Sequence, residues 1–324
     1  MSADLGSPVG VAATTSGYYI ADANNSRIRF VSPGGIISTI AGTGAGGYSG
    51  DGGPATQAEI DNPFALSLDR LENLYFVDGT NYVIRRIDSS GIITTVAGQA
   101  GQVCPVSTDP CGDGGPATSA LLNFMADVKV DSLGNVFIAD VGDSRIRKVD
   151  TSGIITTVAG NGDYGYNGDN QLATNAWLAG PWGVAVDSHG NLFIADTGNC
   201  RVRRVDAKTQ FISTFAFNGT CTFAGNGGPA TAASRAGAWS LAFDSAGDLF
   251  VGGGSDQVVQ VILAANGNVV TAAGNPNQPT RAGFAGDGGP ATKAVLNMWG
   301  LTVSGTQLYI ADWLNNRVRL VDLP

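Results

Sequence analysis

Asp127 and Lys129 stand two residues apart in Met125-Ala126-Asp127-Val128-Lys129-Val130. That spacing puts both on one face of a strand. There a carboxylate and an amine could serve as acid and base, or simply form an ion pair that fills space. Matching positions elsewhere in the chain hold small residues: Gly183 and Ala185, Ser240 and Ala242, Gly300 and Thr302. The other parts of a catalytic centre are scarce. His189 is the one histidine, in a Gly- and Asn-containing turn. A zinc site built on several imidazoles, or a Ser-His-Asp relay, therefore has no ready ingredients. Glu59 and Glu72 are the two glutamates, too few for a Glu-based lyase site.

Two further sets of acids recur. Asp51, Asp113, Asp169 and Asp287, with Asn226 in a fifth copy, sit in glycine-rich segments such as Gly50-Asp51-Gly52-Gly53. Calcium needs six to eight oxygens, and one carboxylate per loop is thin, so capping of the turn is the preferred reading. Asp22, Asp78, Asp140, Asp196 and Asp312 could suggest a metal ring. A carboxylate that accepts N–H groups of its own turn and pairs with a following arginine explains them better. No metal is therefore expected. Three residues before each linker acid stands Tyr48, Tyr166, Phe223 or Phe284, with Pro110 in the remaining copy. Each is a packing plug or a platform for a ligand. Trp182, Trp239 and Trp299 share one repeat position with Phe64, and with Val9 and Ala126. Together with Trp313, Tyr48 and Tyr166, these aromatic residues are the candidate ligand-binding set. Indole offers a broad apolar face and one N–H donor.

The elements that position these residues repeat. Asp-x-x-Asn-x-Arg-(Ile/Val)-Arg begins at Asp22, Asp78, Asp140, Asp196 and Asp312, with a degenerate copy at Gly253, at intervals of 56 to 62 residues. Around the fourth copy, residues 182–187, 192–195, 201–205 and 211–216 alternate apolar and polar between turns rich in Gly, Asn and Asp, as four short strands do. Six such units predict an all-β, six-bladed propeller over residues 1–324 as a single domain. Blade six has 299–304, 307–312 and 317–321 but no match to the fourth-strand pattern GIITTVAG, so its outer strand is missing and its third strand is an open edge. An edge-to-edge dimer through 317–321 would be one use of it. Copies such as NLFIADTGNCRVRRV and QLYIADWLNNRVRLV resemble NHL repeats, nearly throughout the chain. With its GDGGPAT linkers the chain is most similar to bacterial NHL proteins. The linkers of roughly twenty residues contain a helical turn, with proline expected at its first position in 54–60, 116–122 and 290–296.

Strand directions place the second-to-third turns and the linkers at one end, the top, where function is expected. His189 falls at the bottom. Composition narrows the partners. Net charge is −9, and of 18 Lys and Arg twelve lie in the repeated third strand, leaving no basic face for nucleic acid. No apolar run is long enough to cross a membrane. Four cysteines with local spacings predict Cys104–Cys111 and Cys200–Cys221 disulfides, hence an extracellular, periplasmic or cell-surface setting. Residues 3–8 match the linker tail 58–63, so a longer precursor is expected. The preferred reading is a non-enzymatic module that binds a glycan, small molecule or protein on its top face. The alternatives are a hydrolase or lyase centred on Asp127 and Lys129, or a structural module of a larger surface protein.

Overall fold

The computed structural model describes residues 4–105, 110–277 and 283–323. Six antiparallel sheets follow one another around a channel. Blade one is Pro8–Thr14, Gly17–Asp22, Arg27–Val31 and Ile37–Ala41, counted from the channel outward, and blade two is Pro63–Leu68, Leu74–Asp78, Val83–Ile87 and Ile93–Ala97. Blade three is Met125–Val130, Val136–Asp140, Arg145–Val149 and Ile155–Ala159. Blade four is Pro181–Val186, Leu192–Asp196, Arg201–Val205 and Phe211–Ala216. Blade five is Ser240–Phe243, Leu249–Gly252, Val259–Ile262 and Val269–Ala273. Among the described residues blade six has three strands, Leu301–Ser304, Gln307–Asp312 and Arg317–Asp322, as the sequence predicts. The core lies between blades, where one blade's second strand meets the next blade's inner strand. One such layer gathers Phe137, Ala139, Val184 and Ile194.

Small residues on the inner strands are a packing requirement. A methyl group on Gly10 would lie 2.3 Å from the Phe64 carbonyl, and one on Gly300 2.5 Å from that of Val9. Neighbouring blades are also stitched by side chains. Ser67 Oγ accepts the Val130 amide at 3.0 Å, and Ser240 Oγ accepts that of Leu301 at 3.1 Å.

The linkers differ from expectation in two ways. Their middles do not stay on the top face. They run down the rim and add to the outer edge of the next blade: Pro54 bridges Ile92, Pro116 bridges Ile154, Pro229 bridges Asn268, and Gln171–Leu172 pairs with Phe211 and Ile212 as a fifth strand. The long insertions thus cover sheet edges that would otherwise be free. The helical turn is a 3-10 turn, Ala55–Gln57, Ala117–Ser119 and Ala291–Lys293, and the proline precedes it instead of opening it; Pro54 and Pro116 pair with the outer strand from that position.

Candidate functional site

The repeated acids build a clamp that holds the second arginine of each signature. Arg85 is fully buried, 2.6 Å from Asp51 of the linker and 3.4 Å from Asp78. Arg147 lies 2.5 Å from Asp113 and 3.5 Å from Asp140. Arg203 lies 2.8 Å from Asp169 and 3.3 Å from Asp196, and Arg319 lies 2.7 Å from Asp287 and 3.1 Å from Asp312. In blade one Arg29 is paired with Asp22 at 3.6 Å. Each buried aspartate accepts a backbone N–H from the end of the preceding linker rather than from the backbone of its own turn: Gly6 to Asp22, Asp61 to Asp78, Asn123 to Asp140, Ala179 to Asp196, Asn297 to Asp312. The linker acids therefore point to four separate arginines instead of converging on a cation. Among the described residues no group of three His, Cys, Asp or Glu could hold a metal ion.

The aromatic residues before the linker acids cover these arginines. Arg85 lies 4.9 Å from the Tyr48 ring centre, Arg203 4.9 Å from that of Tyr166 and Arg319 4.9 Å from that of Phe284, and the first arginines Arg201 and Arg317 lie against the same two rings at 4.0 and 3.6 Å. Tyr48 and Tyr166 also hydrogen-bond Asp51 and Asp169 at 3.1 Å. Blade five replaces the clamp as a set. Gly253, Gln260 and Asn226 stand where the two acids and the arginine would be, and the buried Arg235 enters from the linker, donating to the carbonyls of Gly237, Val251 and Gly253. Arg235 occupies the place of Ile60, Leu122 and Leu178, and burial lowers its pKa to about 10.

Blade three departs from the pattern in one residue. Elsewhere an asparagine (Asn81, Asn199, Asn315) donates its amide to the buried aspartate at 2.8 Å. Here it is Asp143, and Asp140 Oδ2 and Asp143 Oδ2 are left without a hydrogen-bond donor. Burial, reinforced by the Asp143 charge, raises Asp140 from 3.8 to about 7, and burial raises Asp143 as well. A carboxyl raised in the folded state contributes stability that is fully present below its unfolded pKa and is lost as pH rises through the folded one. Stability is therefore expected to decline between pH 4 and 7 through this pair. Asp143→Asn restores the missing donor and should gain about 1–2 kcal/mol at neutral pH, with a flatter profile over that window. Urea unfolding at pH 5 and pH 7.5 checks it; an unchanged difference between the two pH values in the Asp143→Asn protein would count against this account.

Asp127 is buried. Oδ1 accepts the Val128 amide at 2.9 Å, Oδ2 accepts the Val184 amide of blade four at 3.0 Å, and Lys129 Nζ is 3.6 Å away. The carboxylate thus ties two blades together, as Ser67 and Ser240 do. Lys129 reaches the channel, where Val11, Leu66 and Leu301 also line the space. His189 lies at the bottom, beside a groove formed with Phe193, Phe215 and Phe243.

The top of the channel is filled by rings. In blades one to four a β-bulge follows the first residue of the inner strand, and Val9, Phe64, Ala126 and Trp182 fall within it. The bulge turns these side chains towards the channel mouth. Trp182, Trp239 and Trp299 meet one another with centroids 5.2–6.0 Å apart. Trp299 also touches Phe64 at 5.6 Å and Trp313 at 5.0 Å. Phe124 completes the group, 5.5 Å from Trp182 and 6.5 Å from Phe64, and sequence reasoning missed it. Blade three has Ala126 in the aromatic position, and Phe124, two residues earlier, supplies the ring from a left-handed backbone (φ 47°). Gly180 has a positive φ at the corresponding place in blade four. A bulky residue there is strained, and its occurrence where a neighbour has glycine was the available signal. All six rings keep some exposed surface. Beside them a cleft of about 580 Å³ opens between Trp239 and Trp313, bordered by Ser255, Gln257, Asn297 and Leu314. Tyr48 and Tyr166 make no ring contact with this group; their partners are the arginines of the rim.

Fold, signature and repeat together define a six-bladed propeller of NHL type. The family profile described as Teneurin NHL domain matches residues 44–103 and 95–167, which include the linkers at 50–56 and 112–118, and the NHL repeat profile matches 178–205. Human teneurin-1 is 30% identical over 243 residues, covering 66% of this chain and 9% of that protein. The chain thus spans about a tenth of the length of the curated relatives it matches. Among solved structures, a gluconolactonase from Xanthomonas campestris superposes with a TM-score of 0.59 at 13% identity, over 99% of this chain and 88% of that one. A chain of a nidogen/laminin complex gives 0.59 at 15%, over 93% and 88%. At such identities the likeness is one of fold.

Proposed function

We propose that the chain is a recognition module that performs no chemistry and binds a glycan on its top face, in an extracellular, periplasmic or cell-surface setting. The observation that carries this reading is the group of six partly exposed rings at the channel mouth, with the cleft between Trp239 and Trp313 beside it. Aromatic faces stack on the C–H face of a sugar ring, and the exposed Ser255 offers a hydroxyl at the border of the cleft. The two disulfides, Cys104–Cys111 and Cys200–Cys221, favour an oxidising compartment. The acidic net charge argues against a nucleic-acid partner. An enzymatic reading would rest on Asp127 and Lys129, and both Asp127 oxygens are already engaged by backbone amides.

Titrating a panel of oligosaccharides against intrinsic fluorescence tests the proposal. At least one class should bind saturably, and Trp313→Ala should weaken it by at least about tenfold, about 1.4 kcal/mol. Trp313 projects from a surface 3-10 turn, so its loss should move the melting temperature by only a few degrees. A Trp313→Ala protein that melts much earlier but binds normally, or a panel with no binder, would overturn the reading.

A further inference from the structure

Packing alone does not account for the Asp127–Lys129 pair. The joint that Asp127 makes with the next blade also exists in a neutral form. Ser240 stands at the Asp127 position of blade five, and its hydroxyl accepts the Leu301 amide at 3.1 Å. Leu301 is the counterpart of Val184, whose amide Asp127 accepts at 3.0 Å. A hydroxyl therefore suffices for this bond. Burial raises the Asp127 carboxyl above its ordinary value, so the charged joint carries a desolvation cost that the neutral one avoids. Lys129 is not needed for the joint at all. Its counterparts, three residues after the shared aromatic position, are Ala12, Ser67, Ala185, Ala242 and Thr302. All six positions line one cavity of about 320 Å³.

This cavity is the lower part of the channel. Above it, between Lys129, Leu66, Trp239 and Trp299, the space narrows to about 20 Å³, enough for about one water. The rings fill the mouth beyond. Below, the wall continues through Leu68, Val186 and Phe243 at the ends of their inner strands. The result is a well that opens on the bottom face and is large enough for a small molecule. Among the described residues that line it, Lys129 alone is charged. Its ammonium has three N–H donors, and Asp127 at 3.6 Å is its one ion-pair partner among the described residues. Two hydroxyls share its level. Ser67 accepts the Val130 amide and keeps its own proton to donate, and the Thr302 hydroxyl has no hydrogen bond among the described residues. The acids of the bottom turns are already occupied. Asp69, Asp131, Asp187 and Asp244 each accept two amides of their own turn at 2.8–2.9 Å.

We infer that the lower channel is a binding site for a small monocarboxylate with an apolar body, anchored by Lys129. The ligand enters from the bottom face. Its carboxylate meets the ammonium at the closed end of the well, and its apolar body lies against Leu66, Leu241 and Phe243. One ammonium, shared with Asp127, matches one carboxylate and no more. A second charge would be stranded among alanine, leucine and valine. A sugar, with a hydroxyl on nearly every carbon, would find too few polar partners on the same walls. The well is separate from the rings of the channel mouth, so neither site depends on the other.

The probe is hexanoate, titrated by calorimetry against the whole chain, with hexanamide and hexylamine as neutral and cationic counterparts. Hexanoate should bind saturably and one to one, at least about tenfold more tightly than either counterpart. That comparison leaves the protein unaltered. Lys129→Met keeps the apolar stem and removes the charge, and should weaken hexanoate by at least about tenfold. Absence of saturable hexanoate binding, equal binding of hexanamide, or hexanoate binding that Lys129→Met leaves unchanged would each overturn the inference.

Discussion

Arg203→Ala will destabilise the propeller by about 3–5 kcal/mol, the cost of leaving a buried charge without its partner. Arg203 is fully buried, lies between Asp169 and Asp196, and donates to the Gly168 carbonyl at 2.8 Å. Its removal strands Asp196, which is completely buried and whose carboxyl burial already pushes above the usual range. It also loosens the linker, since Asp169 loses its arginine and keeps only the Tyr166 hydroxyl and the Phe211–Ala216 strand as partners. Urea unfolding measures the loss. The same substitution beside Asp196→Asn should cost less, because no buried anion remains; a double-mutant cycle reads that coupling. A loss below about 1 kcal/mol for the single change would mean the clamp is decorative.

Removing the Cys200–Cys221 disulfide should cost about 3 kcal/mol, and removing Cys104–Cys111 less. The separations are 21 and 7 residues, and in the chain-entropy view the longer loop restrains the unfolded chain more. Local structure points the same way. Cys200 closes the 3-10 turn Thr197–Asn199 in a left-handed conformation (φ 51°), and from there the bridge fastens the linker to the top of blade four. Comparing Cys→Ser pairs by thermal melting tests the ranking, and a larger loss for the 104–111 pair would contradict it.

Blade number, strand order and the missing outer strand of blade six were all legible, because period-two alternation and turn residues recur together. The shared aromatic position was legible for the same reason. Pairings across long separations were not. Asp51 and Arg85 are 34 residues apart, and nothing local says that the linker acid serves the next blade's arginine. The sequence suggested a turn cap for that acid, since an Asp among glycines usually is one. The linkers were placed at the top by strand direction alone, which fixes where a connection starts and ends but not its path down the rim. Arg235 shows the same limit: an apolar position of the repeat holds a guanidinium, intelligible only once Gly253 and Gln260 are seen to have vacated the ordinary clamp.

Blades one and six meet without sharing a strand. Their junction includes the buried cluster of Val11, Tyr309 and Ala311, Gly300 beneath the Val9 carbonyl, the Tyr18 and Tyr309 rings 5.2 Å apart, and the Ser7 amide on Asn316 Oδ1 at 2.9 Å. This gives the ring a mechanical weak line. Tension applied between residues 4 and 323 bears on that junction alone, so its contacts break in succession instead of a ladder of backbone bonds shearing at once. The ring then opens at low force into an arc of blades, and its lifetime under load follows the opening rate of the seam rather than the equilibrium stability of the whole.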